Sequence, residues 1–212
     1  GVEYLNLQAT DPDLCGFIGG FEHGNFAYYV PQRSSTYAYQ GKLTRVSMAD
    51  FSSSGVEVLD LTLVDASLRG YQGGFVSGDY AYLVPFKPTT TTSHGNLVRV
   101  LLTDFTSSGV SFLDLSAVHP MLVGFYGGFA AGNHGYLVPL LSDNGGANPP
   151  ANGQGTREYH GYVTRISLSD FSPSGVSYLN IGLVNSKLIG FRGGFASDTH
   201  AYFVPVSRSQ LL

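Results

Sequence analysis

Four copies of one segment constrain this chain more than any other feature. Residues 70–85, GYQGGFVSGDYAYLVP, recur with small changes, and the repeat starts Gly1-Val2, Gly55-Val56, Gly109-Val110 and Gly175-Val176 are offset by 54, 54 and 66 residues. The double glycines Gly19-Gly20, Gly73-Gly74, Gly127-Gly128 and Gly193-Gly194 keep those offsets, as do Pro31, Pro85, Pro139 and Pro205. A short supersecondary unit of this length cannot bury its apolar face alone, so copies must stack on one another.

Each complete copy reads as four strands. Tyr71 to Val76 forms the first and turns at Gly78-Asp79 into the second, Tyr80 to Phe86, because a glycine-bearing pair suits a tight hairpin. The third, Asn96 to Leu102, alternates with both faces largely apolar, as expected for a strand covered on both sides. The turn TDFTSSG (ADFSSSG and SDFSPSG elsewhere) leads to the fourth, Val110 to Leu115, and Phe51, Phe105 and Phe171 are expected to plug the outer edge of each unit. The double glycines belong on the innermost strand, where backbones crowd.

These features resemble β-propeller repeats, and the double glycine is similar to the kelch signature, although the chain has no Trp and places its glycines differently. The resemblance implies one all-β domain over 1–212, a propeller-like array of four-stranded antiparallel blades with repeats 1–54, 55–108, 109–174 and a truncated 175–212. Counted this way, the chain opens on a fourth-type strand, Val2 to Leu7, and ends after a second-type strand, Tyr202 to Val206, giving fifteen strands where four blades need sixteen. A ring with one three-stranded blade, a piece of a larger ring, and an edge completed by another chain all fit that count. An unpaired edge is a template for strand addition, so Val2, Tyr4, Leu5, Tyr202, Val204 and Val206 are the candidate assembly residues.

Composition narrows the function. Charged residues are 12 % of the chain, glycines number 28 of 212 against a usual ~7 %, and the formal charge is −4, so there is no basic stripe for nucleic acid. No apolar run approaches the ~20 residues of a membrane span, and a soluble, extracellular or cell-surface protein is expected. Cys15 stands alone and can form no intrachain disulfide.

Chemistry-bearing residues follow the repeat rather than converging on a site. His23, His134 and His200 fall in equivalent hairpin turns, and His94 and His160 each precede the glycine opening a third strand, with no metal-ligand spacing; polar turn positions near solvent are expected. Asp11, Asp65, His119 and Asn185 share one position between blades, where a carboxylate pair or a row of Asx turns would fit. Arg45, Arg99 and Arg165, five residues before Asp50, Asp104 and Asp170, are expected to satisfy turn carboxylates or carbonyls as structural elements. Neither a nucleophile elbow nor a phosphate loop is present, so no enzyme, cofactor or metal is expected.

The copies differ most between second and third strands, where the third loop is twelve residues longer. Tyr37, Tyr39 and Tyr159 could stack on sugars or a neighbouring subunit, and Thr89, Thr90, Thr91 and Thr92 could accept O-linked sugars. The expected function is a structural module that associates with copies of itself through its incomplete blade, with a filament as the expected product; a multivalent glycan-binding lectin and a fragment of a larger propeller are the alternatives.

Overall fold

The computed structural model describes residues 1–142 and 158–206. Among these described residues, sixteen strands make three four-stranded antiparallel sheets and two smaller ladders. Sheet I holds β1 (Phe17–His23), β2 (Phe26–Pro31), β3 (Lys42–Ser47) and β4 (Val56–Asp60). Sheet II holds β5 (Tyr71–Ser77), β6 (Tyr80–Pro85), β7 (Asn96–Leu101) and β8 (Val110–Asp114). Sheet III holds β9 (Phe125–Ala131), β10 (His134–Pro139), β13 (Tyr162–Ser167) and β14 (Val176–Asn180), with β11 (Leu141–Ser142) and β12 (Glu158–Tyr159) forming a short ladder at the root of its long loop. Most of that loop, like the chain end after 206, lies outside the described residues. Sheet IV is the hairpin β15 (Phe191–Ala196) and β16 (Ala201–Pro205).

The hairpins between β1 and β2, β5 and β6, and β9 and β10 turn on Gly24, Gly78 and Gly132, all with positive φ. The first glycine of each of the first three double glycines is also left-handed, with Gly73 at φ 79°, and marks a bulge where the β1–β2, β5–β6 and β9–β10 registers shift. An L side chain is strained in that conformation, and the bulge bends the inner strand.

The sheets stack in a row, β1 against β5, β5 against β9 and β9 against β15. Continuous apolar cores run between them: Val30, Leu43 and Leu59 pack with Leu83, Val98 and Val100, and Phe75, Val84 and Leu97 pack with Leu137 and Ile166. The row does not close into a ring.

Two expected features differ. Residues 1–6 form no strand, and Leu7–Ala9 is a 3-10 turn. Their counterparts in β4 pair with β3, and this segment has no third-type strand to pair with among the described residues, which leaves Val2 98 % exposed, Tyr4 exposed and Leu5 half-buried. The connections between sheets also carry structure that spacing did not reveal, 3-10 turns at Leu61–Leu63, Leu115–Ala117 and Ile181–Leu183. Each is capped by Asp60, Asp114 or Asn180 accepting the N–H two residues on.

A Cβ on Gly128 would lie 2.7 Å from the Tyr136 carbonyl oxygen and 3.0 Å from the Phe75 ring, whereas one on Gly132 meets nothing. Gly128→Ala should therefore cost about 1–3 kcal/mol through overpacking. Gly132→Asn should cost less than about 1 kcal/mol, because Asn tolerates the left-handed region. Urea unfolding midpoints of the two variants check both values.

Candidate functional site

Two contacts join the sheets, the first at all three junctions and the second at the junctions of sheets I with II and II with III. In the first, an aromatic ring from one sheet covers the second glycine of the next pair. Phe21 lies 3.3 Å from a Cβ position on Gly74, Phe75 lies 3.0 Å from that on Gly128, and Phe129 lies 2.7 Å from that on Gly194. Each ring also stacks on a tyrosine across its own hairpin, at centroid distances of 5.1 Å for Phe21–Tyr28, 5.0 Å for Phe75–Tyr82 and 5.4 Å for Phe129–Tyr136. A missing Cβ thus creates the recess, and the tyrosine fixes the ring that fills it.

The second contact runs in the opposite direction. Phe105 of sheet II packs edge-on against Tyr28 of sheet I, and Phe171 of sheet III against Tyr82 of sheet II, both at 5.9 Å. The same rings cover the guanidinium groups of Arg45 and Arg99 at 4.2 and 4.4 Å. The phenylalanines therefore bind the preceding sheet, a role beyond plugging their own edge. Phe51, with no preceding sheet, is exposed, and Arg165, with no such ring above it, is exposed as well.

The row ends on unmatched halves of these contacts. Phe195 repeats the position of Phe75 and stacks on Tyr202 at 5.1 Å, yet is 58 % exposed where Phe75 is 7 % exposed. At the other end Gly20 is exposed and no ring covers it; Ala27 and Tyr29 lie on the same face of that hairpin. The outer edge of β16 pairs with no described strand, whereas β2, β6 and β10 each pair on that side with a third strand. Tyr202 and Val204 are exposed beside this edge. Val206 lies beyond it, donating its N–H to the Gly190 carbonyl at 3.1 Å, and is not part of the edge.

The polar repeat residues serve local structure. The arginines do not reach the turn aspartates. Arg45 pairs with Glu57 at 2.7 Å, while Arg99 and Arg165 donate to Ser111 and Ser177, each the residue directly opposite on the fourth strand. Asp50, Asp104 and Asp170 instead accept two hydroxyls each, from Ser52 and Ser54, Thr106 and Ser108, and Ser172 and Ser174. Those hydroxyl donors hold the Asp50 and Asp104 carboxyls below the usual carboxylate range. Asp11, Asp65, His119 and Asn185 all accept the backbone N–H two residues on, as Asx-type turns do. Asp11 and Asp13 also pair with Lys42, at 2.7 and 3.2 Å.

Of the loop residues, Tyr37 is 78 % exposed with φ 63°. Tyr39 is buried, with Arg33 stacked over it at 4.4 Å and bonded to its hydroxyl, so its ring is not a surface for sugars. Tyr159 sits at the equivalent place in sheet III, its ring occupying the space a side chain on Gly190 would need. Thr89 accepts the N–H groups of Thr91 and Thr92, a turn that accounts for threonine there, and Thr89 to Thr92 are exposed. Among the described residues no three His, Cys, Asp or Glu side chains converge as a metal site, and no helix is long and apolar enough to cross a membrane.

His94 and His160 depart from expectation, being buried rather than near solvent. They occupy the position of Gln40, which donates to the Asp13, Cys15 and Arg33 carbonyls and accepts the Lys42 N–H. His160 Nδ1 accepts the Tyr162 N–H at 3.3 Å, whereas its Nε2 and both nitrogens of His94 have no bonded partner among the described residues. Burial pushes both imidazoles down to about 4, against the pull of nearby backbone carbonyls. The only hint of burial in the sequence is the glycine directly after each, Gly95 or Gly161, where a Cβ would lie 2.7 or 2.5 Å from the Leu122 or Leu188 carbonyl oxygen, and a glycine there is not distinctive.

No family model matches this chain, and no curated protein does. Among solved structures it is similar to PorZ, an essential bacterial surface component of the type-IX secretion system of Porphyromonas gingivalis, with a TM-score of 0.45 and 13 % identity over 88 % of this chain and 18 % of that one. It is also similar to LS24, a seed albumin from Lathyrus sativus, with a TM-score of 0.34 and 13 % identity over 82 % of this chain and 70 % of that one. The chain spans about a fifth of the length of PorZ.

The histidines predict an acid-sensitive fold. Below the unfolded imidazole pKa near 6.5 the unfolded chain takes up protons that the folded chain refuses down to about 4. Stability is therefore full above that upper value and falls as pH drops through the window, by roughly 3 kcal/mol per histidine. Chemical denaturation between those limits should show the loss, and His94→Gln with His160→Gln, copying Gln40, should flatten it.

Proposed function

We propose that this chain is a non-enzymatic structural module whose propeller-like row of sheets is continued by a second copy stacked head to tail through the incomplete terminal unit, forming filaments in an extracellular setting. The observation that carries this reading is the unmatched pair at its ends: Phe195 is a ring without a glycine recess, and Gly20 is a recess without a ring. Three junctions inside the molecule already join such halves.

Stacking Phe195 of one copy on Gly20 of the next would bury the exposed Tyr202 and Val204 alongside it. It would also bring residues 2–6 of the second copy to the place of a fourth strand beside sheet IV, which accounts for a segment of strand-like sequence that pairs with nothing among the described residues. The contact joins two different faces, so repetition continues without closing. The repeated aspartates Asp50, Asp104 and Asp170 are engaged in turns, which suits a scaffold.

Association should rise with concentration in sedimentation equilibrium, and electron microscopy should show linear particles. Phe195→Asp removes the ring at one end and Ala27→Lys obstructs the recess at the other; each variant alone should remain monomeric. An equimolar mixture should form dimers, because one intact half survives on each partner. A wild-type protein that stays monodisperse at high concentration, or two variants that do not pair, would rule out this reading.

A further inference from the structure

A cleft of about 510 Å³ opens between sheets III and IV, lined by Ala130, Tyr136, Ala196, Thr199 and Ala201 among others. Its repeat equivalents elsewhere in the molecule are filled. At the junction of sheets I and II the corresponding Tyr28, Val76 and Ala81 surround Leu102, which is 5 % exposed and donates its N–H to the Asp79 carbonyl at 2.8 Å. At the junction of sheets II and III, Leu168 packs 3.2 Å from the Cβ position of Gly135 and donates to the Asn133 carbonyl at 3.0 Å. In both cases the leucine follows the third strand, and the aromatic ring three residues later, Phe105 or Phe171, covers the tyrosine and arginine of the preceding sheet.

We infer that the cleft beside Tyr136 is a binding site for an extended polypeptide segment carrying the pattern Arg-x-x-Leu-x-Asp-Phe, which adds to the open edge of β16 as a third strand. The register follows from the two occupied examples. Ala81 faces Val100 and Gly135 faces Ile166, while Tyr82 faces Arg99 and Tyr136 faces Arg165. Ala201 accordingly faces the apolar residue two before the leucine, and Tyr202 faces the arginine. The leucine enters the cleft over Ala196 and Ala201 with its N–H on the Thr199 carbonyl, and the phenylalanine closes over Tyr136 and the uncovered Arg165. Three sources of affinity coincide: ladder hydrogen bonds along an edge that has none among the described residues, burial of a leucine, and a ring over a guanidinium.

A second copy cannot supply this strand from its described residues without unfolding, since β3, β7 and β13 are each paired on both sides. The occupant is therefore none of these described strands, and the inference stands whether or not copies stack.

The test uses the Ala27→Lys protein, whose far end is untouched, and a synthetic peptide copying residues 161–175. Saturable chemical-shift changes confined to β16, Tyr136 and Arg165 are expected, and a peptide with Leu168→Asp and Phe171→Ala should bind at least tenfold more weakly. Tethering the same segment to the chain end by a flexible linker raises its effective concentration and covers the case of a weak free peptide. The tethered form should melt several degrees above its Leu168→Asp counterpart. Equal binding by both peptides, shifts elsewhere, or no difference between the tethered forms would overturn the assignment.

Discussion

Everything in this molecule depends on an aromatic ring lying over a residue that has no side chain. Phe21, Phe75 and Phe129 each cover the glycine of the next sheet, and the distance left by a missing Cβ sets how closely consecutive sheets approach. The packing is directional, since each sheet offers a ring on one face and a recess on the other. Direction makes the row a chain of unlike faces, and a chain of unlike faces always ends on two unmatched halves. The exposed Phe195 and the uncovered Gly20 follow from the repeat itself.

Polar chemistry is confined to short-range tasks. With few charges available, the aspartates of the DF turns collect serine and threonine hydroxyls, and the arginines take the residue directly opposite across the ladder while lying under a ring from the neighbouring sheet. A guanidinium between aromatic faces keeps its charge and still contributes to the junction. Arg165 alone among the three lacks that covering ring.

The strands were legible because their signals are local. Glycine pairs fix the hairpins, alternation fixes the third strand, and the period gives the number of units, so observed bounds such as Asn96–Leu101 fall within a residue of expectation. The expected opening strand failed for the opposite reason: residues 2–6 carry the same alternation as β4, but a strand exists only with a ladder partner, and no local pattern reports one. Of the turn carboxylates or carbonyls expected as arginine partners, the carboxylates are not reached, because the register across the sheet places Glu57, Ser111 and Ser177 opposite, whereas Arg45 does donate to a turn carbonyl, that of Leu102, at 3.4 Å. Burial of His94 and His160 was invisible because it arises from the junction with the preceding connection, a contact between repeats.

The stacking in a row has a mechanical consequence. Each sheet touches mainly its neighbours, so cohesion is divided among junctions rather than held in one centre. Under tension such a body yields from its least supported end, and that end is sheet IV, a two-stranded hairpin held on one face. The complete sheets behind it would give way later and one at a time, each behaving as a separate fuse that can lengthen the protein while leaving the rest intact.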